Sequence, residues 1–499
     1  MIIQKKIINR YEDVTFDVGC FLPLVDWCIN TMKEEVVIFK NGNIFISKDM
    51  LPRVESVVQK MLPFSLFPKD IFEANPQIIK EILAANTGQD ANMSLAEEEE
   101  EKNQKLSGAQ EALREIIAQA IKNKVSDVHF EVRKDVCVIR FREYGDMVTY
   151  TTWSAIQATK VAFVAFNKES DDVKSHFNSL IPHDASMQIN MDGNPIRIRL
   201  ASIPAYPYPS FDLVLRILAV DDTIIPLSSL GYTETQLKLL RRVIQQKNGA
   251  IIMAGATGSG KSTTLASMIE LIPKHRKVYT IEDPIERKLL NASQIPVNHE
   301  NALCTFSHLV RQTMRMDPDC LVIGEIRDED TARNSARAAI TGHVVLATLH
   351  ANSATNIAMR LLDLGLDINT LADPGFLKLL SYQTLVKKLC PVCKQPSKND
   401  YQRHALEVDQ IFVNGHDSSC PKCHGKGVSG RMVIAELIEL SGVEFDFIQR
   451  QAWYDWHKHV ISQKNTVLDQ TLFLIKNGII SVEDAESAVG YINVLHAEE

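Results

Sequence analysis

The residues best suited to chemistry begin at Gly255. Gly255-Ala256-Thr257-Gly258-Ser259-Gly260-Lys261-Ser262 packs three glycines, a lysine and hydroxyls into eight positions. Glycines let backbone N–H groups close on an anion, lysine reaches terminal phosphates, and a serine hydroxyl can ligate Mg²⁺. The apolar run Gly249–Ala254 precedes the loop, and Thr263 to Ile269 follows with a helical pattern. Strand, glycine loop and helix N-terminus in that order form a phosphate cradle. By itself this loop predicts ATP or GTP with Mg²⁺, held by residues 255–263.

Three further segments end apolar runs in titratable side chains. Val278-Tyr279-Thr280-Ile281 leads to Glu282 and Asp283, stopped by Pro284. Cys320-Leu321-Val322-Ile323 leads through Gly324 to Glu325, as expected of the residue that orients Mg²⁺ or the attacking water. Val344 to Leu349 is flanked by His343 and His350, read together as γ-phosphate sensors. Ligands collect at the carboxyl ends of strands in open α/β sheets, which makes such ends the place to look.

A second chemistry lies downstream. Cys390-Pro391-Val392-Cys393 and Cys420-Pro421-Lys422-Cys423 are two near-identical knuckles. Four thiolates close a tetrahedral Zn²⁺ site with no position left for water, so the metal is expected to be structural. Cys20, Cys28, Cys137, Cys304 and Cys320 are scattered and read as small buried hydrophobes.

The elements that position these residues divide the chain. Residues 1–90 mix short strands and helices, with a hairpin turn at Asn41-Gly42-Asn43. Residues 91–107, which include the glutamate run 97–101, read as an acidic linker. Residues 108–222 read as an α+β domain with strands at 128–132, 136–141, 196–200 and 213–218. Asp192-Gly193 is its expected turn, and Pro204, Pro207 and Pro209 mark a loop. From 231 to 499 helical and strand patterns alternate, as a sheet covered by helices requires. The cysteine module, 388–430, interrupts that region, and 440–499 is a helical tail.

The chain has 499 residues and a formal net charge of −8. An acidic balance argues against direct nucleic-acid binding, which calls for a basic surface. The N-terminus carries no apolar signal core, and no stretch approaches the roughly 18–20 apolar residues of a membrane span. A cytosolic chain is expected.

Taken together, the four boxes at Gly255–Thr264, Tyr279–Glu286, Arg315–Asp328 and Thr341–Asn352 resemble those of the hexameric secretion ATPases of type II secretion and type IV pilus assembly. Ser126 to Glu131 and Arg431 to Leu437 resemble further segments of that family. The resemblance implies a RecA-like P-loop α/β core with α+β N-terminal domains, the second of them PAS-like. It implies that Lys261 and Ser262 bind phosphates and Mg²⁺ and that Glu325 polarises water. Glu282 and Asp283 would assist, and His343 and His350 would sense hydrolysis. It also assigns Arg199 and Arg216 to the γ-phosphate, from the same chain or a neighbour. Between them stands Ser210-Phe211-Asp212 where the family usually has Gly-Glu. A tetracysteine module is typical of the family's extension ATPases. The implied protein is a cytoplasmic homo-hexamer, peripheral to the inner membrane of a Gram-negative bacterium. Its implied partners are an inner-membrane platform protein and other pilus or secretion components, reached through residues 1–90. A conjugation-type transport ATPase and a non-hydrolysing ATP switch are the alternatives.

Overall fold

In the computed structural model of the chain, the residues described are 7–8, 20–64, 66–85, 108–170, 177–191, 194–218, 223–299 and 301–495. The acidic run and the Asp192-Gly193 turn lie outside them. Two compact units form: residues 1–116 with 159–164, and residues 117–158 with 165–499.

In the first unit, strands β1 (Ile7–Ile8), β2 (Val36–Ile38), β3 (Ile44–Ile46) and β4 (Ile71–Ala74) pair in the order β1-β4-β3-β2. Gly42 turns the β2–β3 hairpin at φ 86°, and a side chain there would meet the Phe67 carbonyl at 2.1 Å. Val36–Ile38 and Ile44–Ile46 are buried on both faces. The helices Val54–Met61 and Pro76–Ala85 contribute Val57, Met61, Ile79 and Leu83 to the same core.

The second unit holds two large sheets. The first is antiparallel: β5 (Asp127–Arg133), β6 (Val136–Glu143), β7 (Asp146–Ser154), β8 (His183–Met191), β9 (Asn194–Ala205) and β10 (Ser210–Ile217), in the order β7-β6-β5-β10-β9-β8. Its strands alternate. Val128, Phe130, Ile139, Phe141, Ile198, Leu200, Leu213 and Leu215 are buried, while Glu131, Arg140, Arg142 and Arg216 stand on the other face. The period of two puts successive side chains on opposite faces, so charge and core separate without any special device.

The second sheet contains β11 (Gly249–Ala254), β12 (Val278–Glu282), β13 (Ser293–Pro296), β14 (Cys320–Ile323), β15 (Val344–Leu349) and β16 (Leu377–Leu389), and ends on β19 (Val428–Glu439). The order is β13-β12-β14-β15-β11-β16-β19, parallel except for the antiparallel β16–β19 pair. Two faces need cover, and the apolar runs supply it: Ile252, Leu321 and Val345 pack into one core, Ile251, Val322 and Leu346 into another. The helices Glu329–Ile340 and Ala354–Asp363 close the first, largely through alanines 332, 336 and 339 and Ile357 and Leu361. The helices Glu234–Ile244 and Lys261–Ile269 close the second. The former starts from a Thr233–Gln236 capping box, which satisfies two otherwise unpaired N–H groups.

The cysteine segment is an insertion between β16 and β19. It carries β17 (Gln395–Pro396), β18 (Phe412–Val413) and the short helix Asp400–Ala405. Helices Gly442–Gln449, Trp453–Ser462, Val467–Lys476 and Val482–Val489 complete the tail. No helix among the described residues is long and apolar enough to cross a membrane.

Candidate functional site

Because β11, β12, β14 and β15 run parallel, the segments that leave their carboxyl ends meet. They enclose a cavity of about 320 Å³ lined by Thr257, Gly258, Lys261, Ser262, Glu282, Asp283, Glu325 and His350, and also by Arg199 and Arg216 of the antiparallel sheet. Residues from four boxes and a second sheet thus share one space within a single chain.

The loop after β11 owes its shape to its glycines. Gly255, Gly258 and Gly260 have φ of 153°, 79° and 86°, values that strain any residue with a Cβ. At Gly255 a Cβ would sit 2.4 Å from the Gln383 carbonyl, so this position is also closed by contact. Gly258 has open space around it. Gly260 caps the helix Lys261–Ile269, whose N-terminus therefore faces the cavity with unpaired N–H groups. Gly255, Ala256, Ser259 and Gly260 complete the backbone of the loop, and Thr263 lies one residue further along the helix, outside the lining set.

Lys261 Nζ donates to the carbonyls of Gly255 at 2.6 Å and Ala256 at 3.1 Å. Burial lowers its pKa, against the opposing fields of Glu325 and Glu286. A cation drawn inward among carbonyls and away from water is poised to exchange those partners for phosphate oxygens. The buried Ser259 hydroxyl oxygen has no hydrogen-bond partner among the described residues, which leaves a polar atom ready for one. The glycine cradle, the helix N-terminus and Lys261 fit a nucleotide's phosphates. Ser262, with the carboxylates across the cavity, fits Mg²⁺.

Glu325 and Asp283 share one network through Arg327. Glu325 Oε2 accepts from Arg327 Nη2 at 2.8 Å, and its Oε1 lies 3.2 Å from His350 Nε2. Arg327 also stands 3.8 Å from Asp283, whose Oδ2 is 2.8 Å from His299 Nε2. The Glu325 hydrogen bond raises the Arg327 pKa. Glu282 is braced from behind: its Oε1 accepts from Thr280 at 2.7 Å and Gln294 at 2.9 Å. Gly324 admits this arrangement because its N–H bonds the Ile281 carbonyl at 2.8 Å, where a Cβ would approach the same oxygen to 3.0 Å. Thr348 Oγ1 donates to the Gly324 carbonyl at 2.5 Å.

The two histidines part company. His350 follows β15 and lines the cavity. His343 precedes β15, and its carbonyl accepts from Gly249 N at the opening of β11, the opposite edge of the sheet from the loop. Its Nδ1 lies 2.9 Å from the Ala338 carbonyl. Seven residue steps at ~3.3 Å each, across the whole of β15, separate the pair by about 23 Å. Of the two histidines expected to sense phosphate, His350 lines the cavity of its own chain, while His343 closes the turn after the helix Glu329–Ile340.

Several residues were not singled out from sequence. Arg327 bridges Glu325 and Asp283. Gln383 on β16 donates to the Ser259 carbonyl at 2.8 Å and accepts from the buried Tyr232 hydroxyl at 2.8 Å. Tyr232 OH also lies 3.2 Å from Thr264 Oγ1. These bonds hold the phosphate loop against the sheet. No local pattern announces them, since the Tyr232–Gln383 pair is 151 positions apart.

Arg199 and Arg216 are direct cross-strand partners on β9 and β10. Arg216 Nε lies 2.8 Å from Asp127 Oδ1, and Arg142 Nε lies 3.9 Å from its Oδ2.

In the cysteine module the sulfurs of Cys390, Cys393, Cys420 and Cys423 all fall within 4.8 Å of one another. Cys390–Cys420 is 3.7 Å and Cys393–Cys423 is 3.4 Å. Four sulfurs each ~2.3 Å from a tetrahedral ion would be about 3.8 Å apart, so the set fits Zn²⁺. Backbone N–H groups of Cys423 and Lys422 pull the Cys420 thiol down to about 7. Gly415 packs so closely on the Cys393 carbonyl that a Cβ would stand 1.7 Å from it.

Residues 102–487 match the family model described as Type II/IV secretion system protein. The Type II secretion system ATPase E of Vibrio cholerae serotype O1 is 31% identical over 430 residues, covering 84% of this chain and 83% of that protein. The Type II secretion system protein E of Dickeya dadantii is 34% identical over 353 residues, 69% of each chain. Among solved structures, the pilus retraction motor PilT with bound ADP superposes with a TM-score of 0.52 at 25% identity, over 75% of this chain and 95% of that one. The Legionella pneumophila ATPase DotB shares the fold at a TM-score of 0.56 and 20% identity, over 74% and 93%.

Proposed function

This chain belongs to the Type II/IV secretion system protein family as a secretion- and pilus-type ATPase, and from that premise we propose that it is a hexameric motor for assembling a type IV pilus or a type II secretion pseudopilus at the inner membrane. The observation that carries the reading is the shared cavity. Lys261, Ser262, Glu325 and Asp283 face Arg199 and Arg216 across one space, so charge of both signs surrounds the place where a triphosphate would lie.

The roles follow from position. The loop N–H groups and Lys261 hold the phosphates. Ser262 and Asp283 would hold Mg²⁺, which when bound neutralises phosphate charge. Glu325 orients the attacking water and takes its proton, with His350 and Arg327 fixing its two oxygens. Glu282, locked by Thr280 and Gln294, shapes the wall at the end of β12. Arg199 and Arg216 counter the charge that develops on the transferred phosphoryl group, a contribution of roughly 10³–10⁵ in rate for a well-placed arginine. Both line the cavity of their own chain, which supports action in cis. Zn²⁺ in the four-cysteine site would be structural.

The test is direct. Lys261→Ala in the full chain is expected to lower phosphate release by roughly 10²–10³ or more and to abolish fibre assembly or secretion while the melting temperature stays put. Wild-type phosphate release by that variant would overturn the reading. Fibre assembly alone surviving would overturn the coupling and leave the ATPase.

A further inference from the structure

The sheet that carries Arg199 and Arg216 is pinned to the rest of its unit at its far end. Glu143 and Asp146 close the β6–β7 hairpin as a cross-strand pair. Glu143 Oε2 lies 2.7 Å from Lys426 Nζ, in the cysteine module three residues after Cys423. Asp146 pairs with Lys387 on β16. Arg431 stands directly across from Lys387 on β19, so the β16–β19 pair presents two cations side by side.

Lys387 is itself fixed. Its Nζ is 3.4 Å from Asp484 Oδ1, a carboxylate only 5% exposed. Asp484 Oδ2 accepts from Ser481 at 2.7 Å and from Asn414 at 2.9 Å. The anchor is therefore preformed on the nucleotide-binding side, and the hairpin supplies the acids.

One row of side chains links that anchor to the cavity. Registers place Arg142 opposite Asp127, Asp127 opposite Arg216, and Arg216 opposite Arg199. Directly opposed residues share a face, and strands ~4.8 Å apart make the row about 14 Å long. Charge alternates at its centre: Asp127 is held between Arg142 and Arg216, with its side chain 8% exposed. Glu143 follows Arg142 immediately. A rotation of the sheet that breaks the Glu143 and Asp146 pairs moves the same row that ends in Arg199.

We propose that Lys387 and Lys426 are positioning residues: by holding Asp146 and Glu143 they clamp the β6–β7 hairpin and so seat Arg199 and Arg216 over the phosphate loop. The proposal rests on the arginine reading above. It gives the cysteine module a task beyond its own stability, because a metal held by the four cysteines would fix the segment that ends in Lys426.

The acids are the side to change. Asp146 is 64% exposed, and altering it leaves Lys387 paired with Asp484. Altering Glu143 leaves the cysteines and Lys426 in place. In the full chain, Glu143→Gln with Asp146→Asn is expected to lower kcat for ATP hydrolysis roughly three- to tenfold, the combined effect of two partly exposed pairs. Glu143→Asp with Asp146→Glu, which keeps the charges, is expected to stay near wild type. On an Arg199→Gln, Arg216→Gln background the neutral pair should cost less than a further twofold, because the arginines it seats are gone. Zero-length carbodiimide crosslinking of the wild-type chain should join Lys426 to Glu143 and Lys387 to Asp146.

Absence of those crosslinks overturns the clamp. So does wild-type kcat in the neutral variant while the arginine variant is impaired, and so does a full multiplicative loss when the two are combined. If the arginine variant hydrolyses ATP at the wild-type rate, the arginine reading fails and takes the clamp's purpose with it, whatever the crosslinks show.

Discussion

The nucleotide cavity and the cysteine module both lie at the ends of strands of the same sheet, and they treat their ligating groups differently. In the cavity, Glu325 and Asp283 share one guanidinium, Lys261 rests on carbonyls, and about 320 Å³ stays open beside them. Each charged group already has a partner it can give up. In the module, four sulfurs within 4.8 Å of one another leave room for one ion and nothing else. A site that must release its ligand every cycle is built from exchangeable partners. A site that keeps its ligand is built closed. Damage to the first should therefore cost rate and spare the fold, and damage to the second should cost fold first.

The sharpest way to break that contrast is Glu325→Gln. Loss of the proposed base is expected to lower kcat by roughly 10²–10⁴, with ATP binding and melting temperature retained, as single-turnover phosphate release and calorimetry would show. A large drop in melting temperature would mean the Arg327–Glu325–His350 network is structural. Next in size, Lys261→Ala should cost roughly 10²–10³ or more in kcat, again without unfolding, since its hydrogen-bond partners among the described residues are two carbonyls of its own loop.

Metal removal tests the other side. Chelation of the full chain should release one zinc per chain, read with a metal-sensitive dye, and lower the melting temperature. Its cost in kcat should not exceed that of the neutral Glu143, Asp146 variant, because the module reaches the arginine sheet through Lys426 alone among the contacts described. A loss of 10² or more would erase the distinction between the two sites. The smallest effect is expected of Tyr232→Phe. It removes the buried hydroxyl that bonds Gln383 and Thr264 and should cost about 1–2 kcal/mol in urea unfolding, with kcat changed less than twofold.

How much was legible follows from how far apart the partners are. The phosphate loop is contiguous, and its glycines, lysine and serine declare themselves within eight residues. Glu282, Asp283 and Glu325 were legible because each ends an apolar run, and parallel strands bring such ends together. The same rule, applied to direction, separates His343 from His350: one comes before its strand and the other after. The pattern of two histidines around one apolar run concealed that difference. Arg327 was passed over because its partners come from two loops, and Gln383 because a glutamine within a strand has no signature. Arg199 and Arg216 were assigned only through resemblance, and the other members of their row were not singled out. Asp127 and Arg216 lie 89 positions apart and meet through strand register, which single-sequence patterning does not specify.

The place where the module enters the sheet has one further consequence. Leu389 and Val428 are partners in the β16–β19 ladder, so everything between them leaves and returns at adjacent points. Two chain ends already side by side can be joined by a short turn as readily as by a 38-residue excursion, since closure entropy grows only slowly with length. The module is thus an accessory that a gene could gain or lose in one step. Such a step would leave the sheet order and the phosphate loop as they are and alter how firmly the arginine sheet is held.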